Sequence, residues 1–370
     1  VATQIMRLFL ALALGNIIGL ATFAFFAIVS YALKVWELEI TADFVSFSEV
    51  NYSMTLGAFM LGGSLIAGFI YSRLEGPRSH GPADLMVCIK KDELPDIKAG
   101  FITSFLTMVS VSSGSSVGMF GPIIHYGGCI AASLERFFKV LTRGVVLAAG
   151  GAAGIAALFS APIAASIFAH EMLLRRFRSS ESLPVIMAAL GGYFSAVMLL
   201  GDDRRFLSII GDPPPLEPFS LGMAILVGIF CGLLSSLYVY LVGAGPGWVK
   251  KMNIPPFFRP LIAATILFAI SPFFPQLIGP GMPAVNMALA GEFTLYLLIA
   301  LAFLKVFATA FCRSFGFHGG ILLPACFFGA MLGSAFDLIV GNGGHLYAIL
   351  GAAACTGSAI GAPIAAVVIL

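Results

Sequence analysis

Gly118-Met119-Phe120-Gly121-Pro122 recurs as Gly320-Ile321-Leu322-Leu323-Pro324, and Ala161-Pro162-Ile163-Ala164-Ala165 recurs as Ala362-Pro363-Ile364-Ala365-Ala366. Gly127 keeps step with Gly329. Both offsets are about 200 residues, so the chain reads as two copies of one unit. The copies sit in strongly apolar sequence. Halves that each carry a Gly/Pro-broken apolar segment at the same place are the signature of a transport site built from discontinuous helices near the bilayer midplane.

Composition fixes the class around that repeat. Of the 370 residues 59% are hydrophobic and 10% charged, against about a quarter charged in soluble domains. Mean hydropathy is +1.01. Apolar runs of spanning or near-spanning length cover Leu8 to Leu33, Met54 to Tyr71, Val185 to Leu200, Leu221 to Val242, Leu261 to Phe274 and Thr294 to Phe311. The expected fold is an all-α integral membrane bundle. The first run exceeds the roughly 7–15 residues of a signal-peptide core, and no small-residue cleavage site follows it, so it reads as a span.

The net charge of +2 suggests no nucleic-acid partner. Its distribution says more. Arg73, Arg78, Lys90, Lys91 and Lys98 share one connection, Arg175, Arg176 and Arg178 a second, Lys250, Lys251 and Arg259 a third, and excess Lys/Arg marks cytoplasmic loops. Asp202, Asp203, Arg204 and Arg205 cancel and Gly211 to Pro218 carries no cation, so that loop reads as external. The six cysteines lie mostly in apolar context without ligand spacing, which argues packing rather than disulfides or a metal. No metal or organic cofactor is expected.

One membrane domain, 1–370, is expected, with halves of about 1–200 and 215–370 joined by Gly211-Asp212-Pro213-Pro214-Pro215. Val145 to Phe159 and Ile163 to Leu174 are too short to cross a bilayer core of about 30 Å upright. Short helices meeting end to end inside a membrane need protein or water around their ends, because lipid cannot satisfy free backbone groups. A polar cavity is therefore expected at the junctions. The apolar run opened at Pro363 stops at Leu370, whereas its counterpart continues to Met172, so the native polypeptide is expected to extend further.

Candidate chemistry follows from the turns. A helix starting near Phe120, with Pro122 tolerated in its first turn, aims free N–H groups and a positive dipole end at the Ser/Gly-rich segment before it. That is an anion site. His318-Gly319-Gly320-Ile321-Leu322-Leu323-Pro324 has the same logic, with tight helix packing as the competing explanation. Ser79, in the turn Glu75 to Pro82, is a candidate hydroxyl donor to an ion, although an ordinary cytoplasmic turn fits as well. Glu171 is an ionisable group at the end of an apolar segment, to be weighed against simple pairing with Arg175. His125, His170 and His318 read as packing residues before proton relays. His170-Glu171-Met172-Leu173-Leu174 begins like a zinc-protease motif but has Leu174 where the second histidine must stand. Ser113 or Ser115 with His125 is the distant alternative, an intramembrane protease; otherwise no enzyme is expected.

Four segments in order resemble the CLC chloride channels and chloride/proton antiporters: Arg78-Ser79-His80-Gly81-Pro82, Gly118-Met119-Phe120-Gly121-Pro122, Gly150 to Met172 and Gly320-Ile321-Leu322-Leu323-Pro324. The resemblance implies a homodimer of inverted-repeat subunits in the plasma membrane, the inner membrane in a bacterium. It implies chloride or similar small anions as the transported ligand. The Ser79 hydroxyl and the amides of Ile321 and Leu322 would hold the central anion, and Gly118, Met119, Phe120, Gly121 and Gly320 would complete the pathway. Serine at that first position goes with chloride; nitrate-selective relatives carry proline there. The family's gating glutamate falls on Phe120 and its basic neighbour on Met119. Its inner proton-pathway glutamate falls on Glu171, and its central tyrosine falls past Leu370. Two glycines of the first motif are replaced by Arg78 and His80. With Phe120 as the gate position, passive and uncoupled anion transport is expected; the alternative is a proton-coupled antiporter with a non-standard proton carrier.

Overall fold

A computed structural model describes residues 2–42, 51–74, 81–200, 218–341 and 345–370. The first repeat begins with α1 (Ala2–Ala42), α2 (Asn51–Arg73), α3 (Pro82–Lys91) and α4 (Ile97–Ser112). It continues with α5 (Phe120–Leu134), α6 (Arg143–Phe159), α7 (Pro162–Phe168, prolonged by a π turn over Ala169–Leu174) and α8 (Ser179–Leu200). The second half holds α9 (Pro218–Lys251), α10 (Arg259–Ile270), α11 (Met282–Leu289), α12 (Leu295–Ser314), α13 (Leu322–Val340), α14 (Leu346–Ile360) and α15 (Pro363–Ile369). Among the described residues no strand forms; the sheet-like contact is one isolated antiparallel bridge between Gly118 and Gly320.

Six of these helices are long and apolar enough to cross a membrane: α1, α2, α8, α9, α12 and α13. This differs from the sequence expectation at two places. The apolar run Leu261 to Phe274 yields only the 12 residues of α10, because Pro260 sits at its start and a turn with Pro275 follows. Helix α13, which is not among the apolar runs read from the sequence, spans 19 residues to a left-handed Gly341.

The two copies fold alike down to their backbone angles. Met119 before α5 has φ −106° and ψ −9°; Ile321 before α13 has φ −100° and ψ −12°. Ala161 before α7 (−125°, 74°) matches Ala362 before α15 (−133°, 71°). In each copy the preceding helix ends on a left-handed residue, Ser160 at φ 53° and Gly361 at φ 69°, and a proline restarts the chain. Packing repeats as well. A Cβ on Gly127 would collide with the Gly150 carbonyl, and one on Gly329 with the Gly351 carbonyl, so α5 lies on α6 as α13 lies on α14. Small residues allow this close approach, which drives helix association where lipid offers no hydrophobic gain. Helix α6 is buried along almost its whole length and carries no polar side chain after Arg143, as a central core helix should.

Candidate anion-binding site

The helix starts of α5 and α13 meet in the buried interior. The Gly118 amide donates to the Gly320 carbonyl at 2.9 Å, and the Gly320 amide returns a bond of 2.5 Å to the Gly118 carbonyl. A Cβ on Gly320 would lie 2.8 Å from the Gly121 nitrogen and 3.3 Å from that of Phe120. Only a residue without a side chain fits there. The first intrahelical bonds run from Ile123 to Met119 and from Ala325 to Ile321, each at 3.1 Å. The earlier amides of each helix therefore precede any intrahelical acceptor and carry the positive end of its dipole.

These helix starts open on a cavity of about 260 Å³. Its lining includes Gly81 and Pro82 from the start of α3, Phe120, Gly121 and Pro122 from α5, and Gly320, Ile321 and Leu322 from α13. Phe168 and Met172, Val242, and Ala359 with Ile360 supply apolar walls, and Arg313 and His318 stand at the polar side. Among the described residues no acidic side chain lines it. The start of α3 is already occupied by its own chain, since Asp84 accepts the Gly81 amide at 2.9 Å. Those of α5 and α13 carry no side-chain cap. An electropositive pocket with dry walls suits a small anion stripped of water.

The sequence candidates distribute unevenly over this pocket. Phe120, Gly121, Gly320, Ile321 and Leu322 line it. Gly118 and Met119 do not: the Gly118 amide is committed to Gly320, and Met119 is buried in the apolar core. Ser79 lies outside the described residues. The Phe120 ring, 2% exposed, is packed edge-on against Phe159 and Phe168, with centroids 4.9 and 5.6 Å apart. Glu171 sits away from the lining. Its two carboxylate oxygens accept the amides of Ile364 (3.1 Å) and Ala365 (2.8 Å), so a side chain of the first repeat caps α15 of the second. This replaces the pairing with Arg175 considered from spacing. The hydroxyls of Ser113 and Ser115 both donate to the Ser110 carbonyl, at 2.8 and 2.5 Å, as turn-closing groups rather than nucleophiles.

Sequence reading passed over three ionisable residues inside α12 and α13. Lys305 is fully buried, donates to the carbonyls of Leu277 (3.0 Å) and Gly279 (2.8 Å), and stands over the Phe327 ring. Asp337 caps α14 by accepting the amides of Tyr347 and Ala348 at 3.1 and 2.9 Å. Arg313 donates to the Gly319 carbonyl and lines the cavity. The available signal was their charge within apolar spans. The loop before α13 is further held by Ser110, whose Oγ accepts the His318 amide at 3.1 Å, and by Tyr238, whose hydroxyl donates to the Ile321 carbonyl at 3.2 Å.

Known proteins resemble this chain in sequence and in fold. An uncharacterized protein of Methanocaldococcus jannaschii is 26% identical over 305 residues, covering 82% of this chain and 77% of the relative. A voltage-gated ClC-type chloride channel, ClcB, of Salmonella typhimurium is 25% identical over 283 residues, 75% of this chain and 68% of the relative. The crystal structure of a slow cyanobacterial Cl⁻/H⁺ antiporter superposes with a TM-score of 0.79 at 19% identity, covering 98% of this chain and 93% of that one. The family model described as voltage gated chloride channel matches residues 63–370, which include the repeated Gly/Pro motifs and the cavity lining, and the chain belongs to that family.

Proposed function

We propose that the protein moves chloride or a similar small anion passively through the cavity between α3, α5 and α13, without coupling to protons. The observation that carries this is the side chain at the start of α5. Coupling to protons at a helix start needs a group that carries a proton and, once ionised, competes with the anion. The phenyl ring of Phe120 has no titratable group, cannot replace an anion at amide groups, and is held between Phe159 and Phe168. Glu171 offers no substitute, because both its oxygens are engaged at the start of α15. The anion would be dehydrated against oriented amides and apolar walls, and held weakly enough to leave again. Membership of the family supports the anion as cargo. We extend the proposal to a homodimer in the plasma membrane, each subunit with its own pathway and the Ser79 hydroxyl as a further donor.

A second reading, proton-coupled antiport through another carrier, is favoured by the likeness of the fold to a Cl⁻/H⁺ antiporter. His125, His170 and His318 are the carriers to test. Chloride and proton flux measured together in proteoliposomes decide between the two. Chloride efflux with no proton movement is expected. Uphill proton transport driven by a chloride gradient would establish the second reading, and absence of any anion flux would remove both.

A further inference from the structure

We infer that Arg313 is a further anion-binding residue of this cavity, supplying a fixed positive charge to the small anion held at the starts of α5 and α13. The inference deepens the proposed function and rests on it. The three ionisable side chains of α12 and α13 differ in what they leave over. Asp337 places both oxygens on backbone amides. Lys305 places its ammonium on two carbonyls and an aromatic face. Arg313 has five N–H donors in a planar fork, and one of them meets the Gly319 carbonyl. Among the described residues no carboxylate pairs with it. A basic residue in the last turn of a helix usually serves the helix dipole, but this one reaches beyond α12 to the loop before α13 and lines the cavity there.

The placement has a physical logic. A partly buried guanidinium without a counter-charge is costly, and a mobile anion resolves the cost without a permanent ion pair. Because a guanidinium stays protonated across physiological pH, the charge is constant. A site whose gate position holds Phe120 would in this way keep its electrostatic attraction without a titrating group at that position.

The test separates charge from support of the Gly319 carbonyl. Chloride binding to the detergent-solubilised full protein is measured by titration calorimetry for the unmodified chain, Arg313→Gln and Arg313→Lys, with elution volume as the check on folding. Glutamine keeps a donor for the carbonyl and removes the charge; lysine keeps the charge. Arg313→Gln should weaken chloride binding about tenfold or more, the scale of a lost charge-assisted hydrogen bond, and Arg313→Lys should recover most of the loss. Unchanged affinity in Arg313→Gln, or equal weakening in both variants, overturns the inference. A measurement on the unmodified protein covers the case of a variant that does not fold. In a bromide-soaked crystal, an anomalous peak within hydrogen-bonding distance of the guanidinium supports the assignment. A peak at the helix starts but away from Arg313 overturns it, and no bromide in the cavity and no chloride binding by the unmodified chain would instead overturn the parent proposal.

Discussion

Gly118 and Gly320 are reciprocal backbone partners, each donating to the other's carbonyl, and each also packs on the helix start that follows the other. A Cβ on Gly118 would lie 3.1–3.2 Å from Leu323 Cβ, the Gly320 oxygen and Pro324 Cδ. On Gly320 it would meet the Gly121 backbone nitrogen at 2.8 Å. The pair is thus symmetric in bonding and unequal in tolerance, because the neighbours of Gly118 need yield only a few tenths of an ångström, whereas the Gly121 nitrogen leaves no room for a Cβ on Gly320.

Gly320→Ala should therefore damage transport more than Gly118→Ala. Overpacking of this kind costs about 1–3 kcal/mol, and in Gly320→Ala the strain falls on the amides that face the cavity. Chloride efflux from proteoliposomes should fall further in Gly320→Ala, and Gly320→Val should abolish it while the protein still elutes as an assembled species. Normal efflux in Gly320→Val would make the repeated turn architectural only.

Glu171 is expected to act as a cap. Glu171→Ala leaves the amides of Ile364 and Ala365 without their acceptor, a loss of about 1 kcal/mol by analogy with other helix caps. Thermal unfolding in detergent should shift downward, more in Glu171→Ala than in Glu171→Gln, which retains an acceptor oxygen. Chloride flux should persist in both variants, with no proton flux before or after. A proton flux in the unmodified protein that disappears in Glu171→Gln would place this carboxylate on a proton path.

Much of this arrangement was legible from residues alone, for a definite reason. Glycine and proline constrain backbone directly, so the doubled Gly-x-x-x-Pro and Ala-Pro motifs announced helix starts that the structure places at Phe120, Leu322, Pro162 and Pro363. What composition could not supply was the meeting of the halves. No local pattern indicates that Gly118 pairs with Gly320, or that Glu171 caps a helix in the other copy, since both depend on long-range packing. Side chains with two plausible roles were also undecided. In sequence Arg313 is a basic residue closing an apolar helix, and its position beside Gly319 and the cavity sets it apart. Gly118 and Met119 share the motif of Phe120 and Gly121 but turn away from the cavity, a distinction that needs the backbone direction at the start of α5.

The aromatic cage around Phe120 gives a third expectation. Edge-on aromatic pairs add about 0.5–1.5 kcal/mol each beyond area burial, and Phe159 and Phe168 hold the ring from two sides. If the ring limits the passage, Phe120→Ala should raise chloride efflux, and Phe168→Ala, which frees the ring on the cavity side, should raise it less. Equal efflux in all three proteins would show that the anion passes without touching this ring.

Replacing Phe120 by glutamate tests the mechanism most directly. In Phe120→Glu a carboxylate would stand at the start of α5, beside the amides of Gly121 and facing a cavity lined by Arg313. Ionised, it would occupy the place of the anion; protonated, it would lose its attraction to the helix start and release it. A free glutamate titrates near pH 4.3, and a helix start and a guanidinium both favour the ionised form. Efflux in Phe120→Glu should accordingly be low at neutral pH and rise as the pH falls into the acidic range, while the unmodified protein stays flat across the same interval. The sign matters, because a block that deepened on acidification would require protonation to close the path. Coupled proton transport should not appear, since Glu171 remains bound to α15 and offers no inner acceptor. A pH-independent Phe120→Glu variant with normal efflux would mean that the start of α5 does not face the conducted anion.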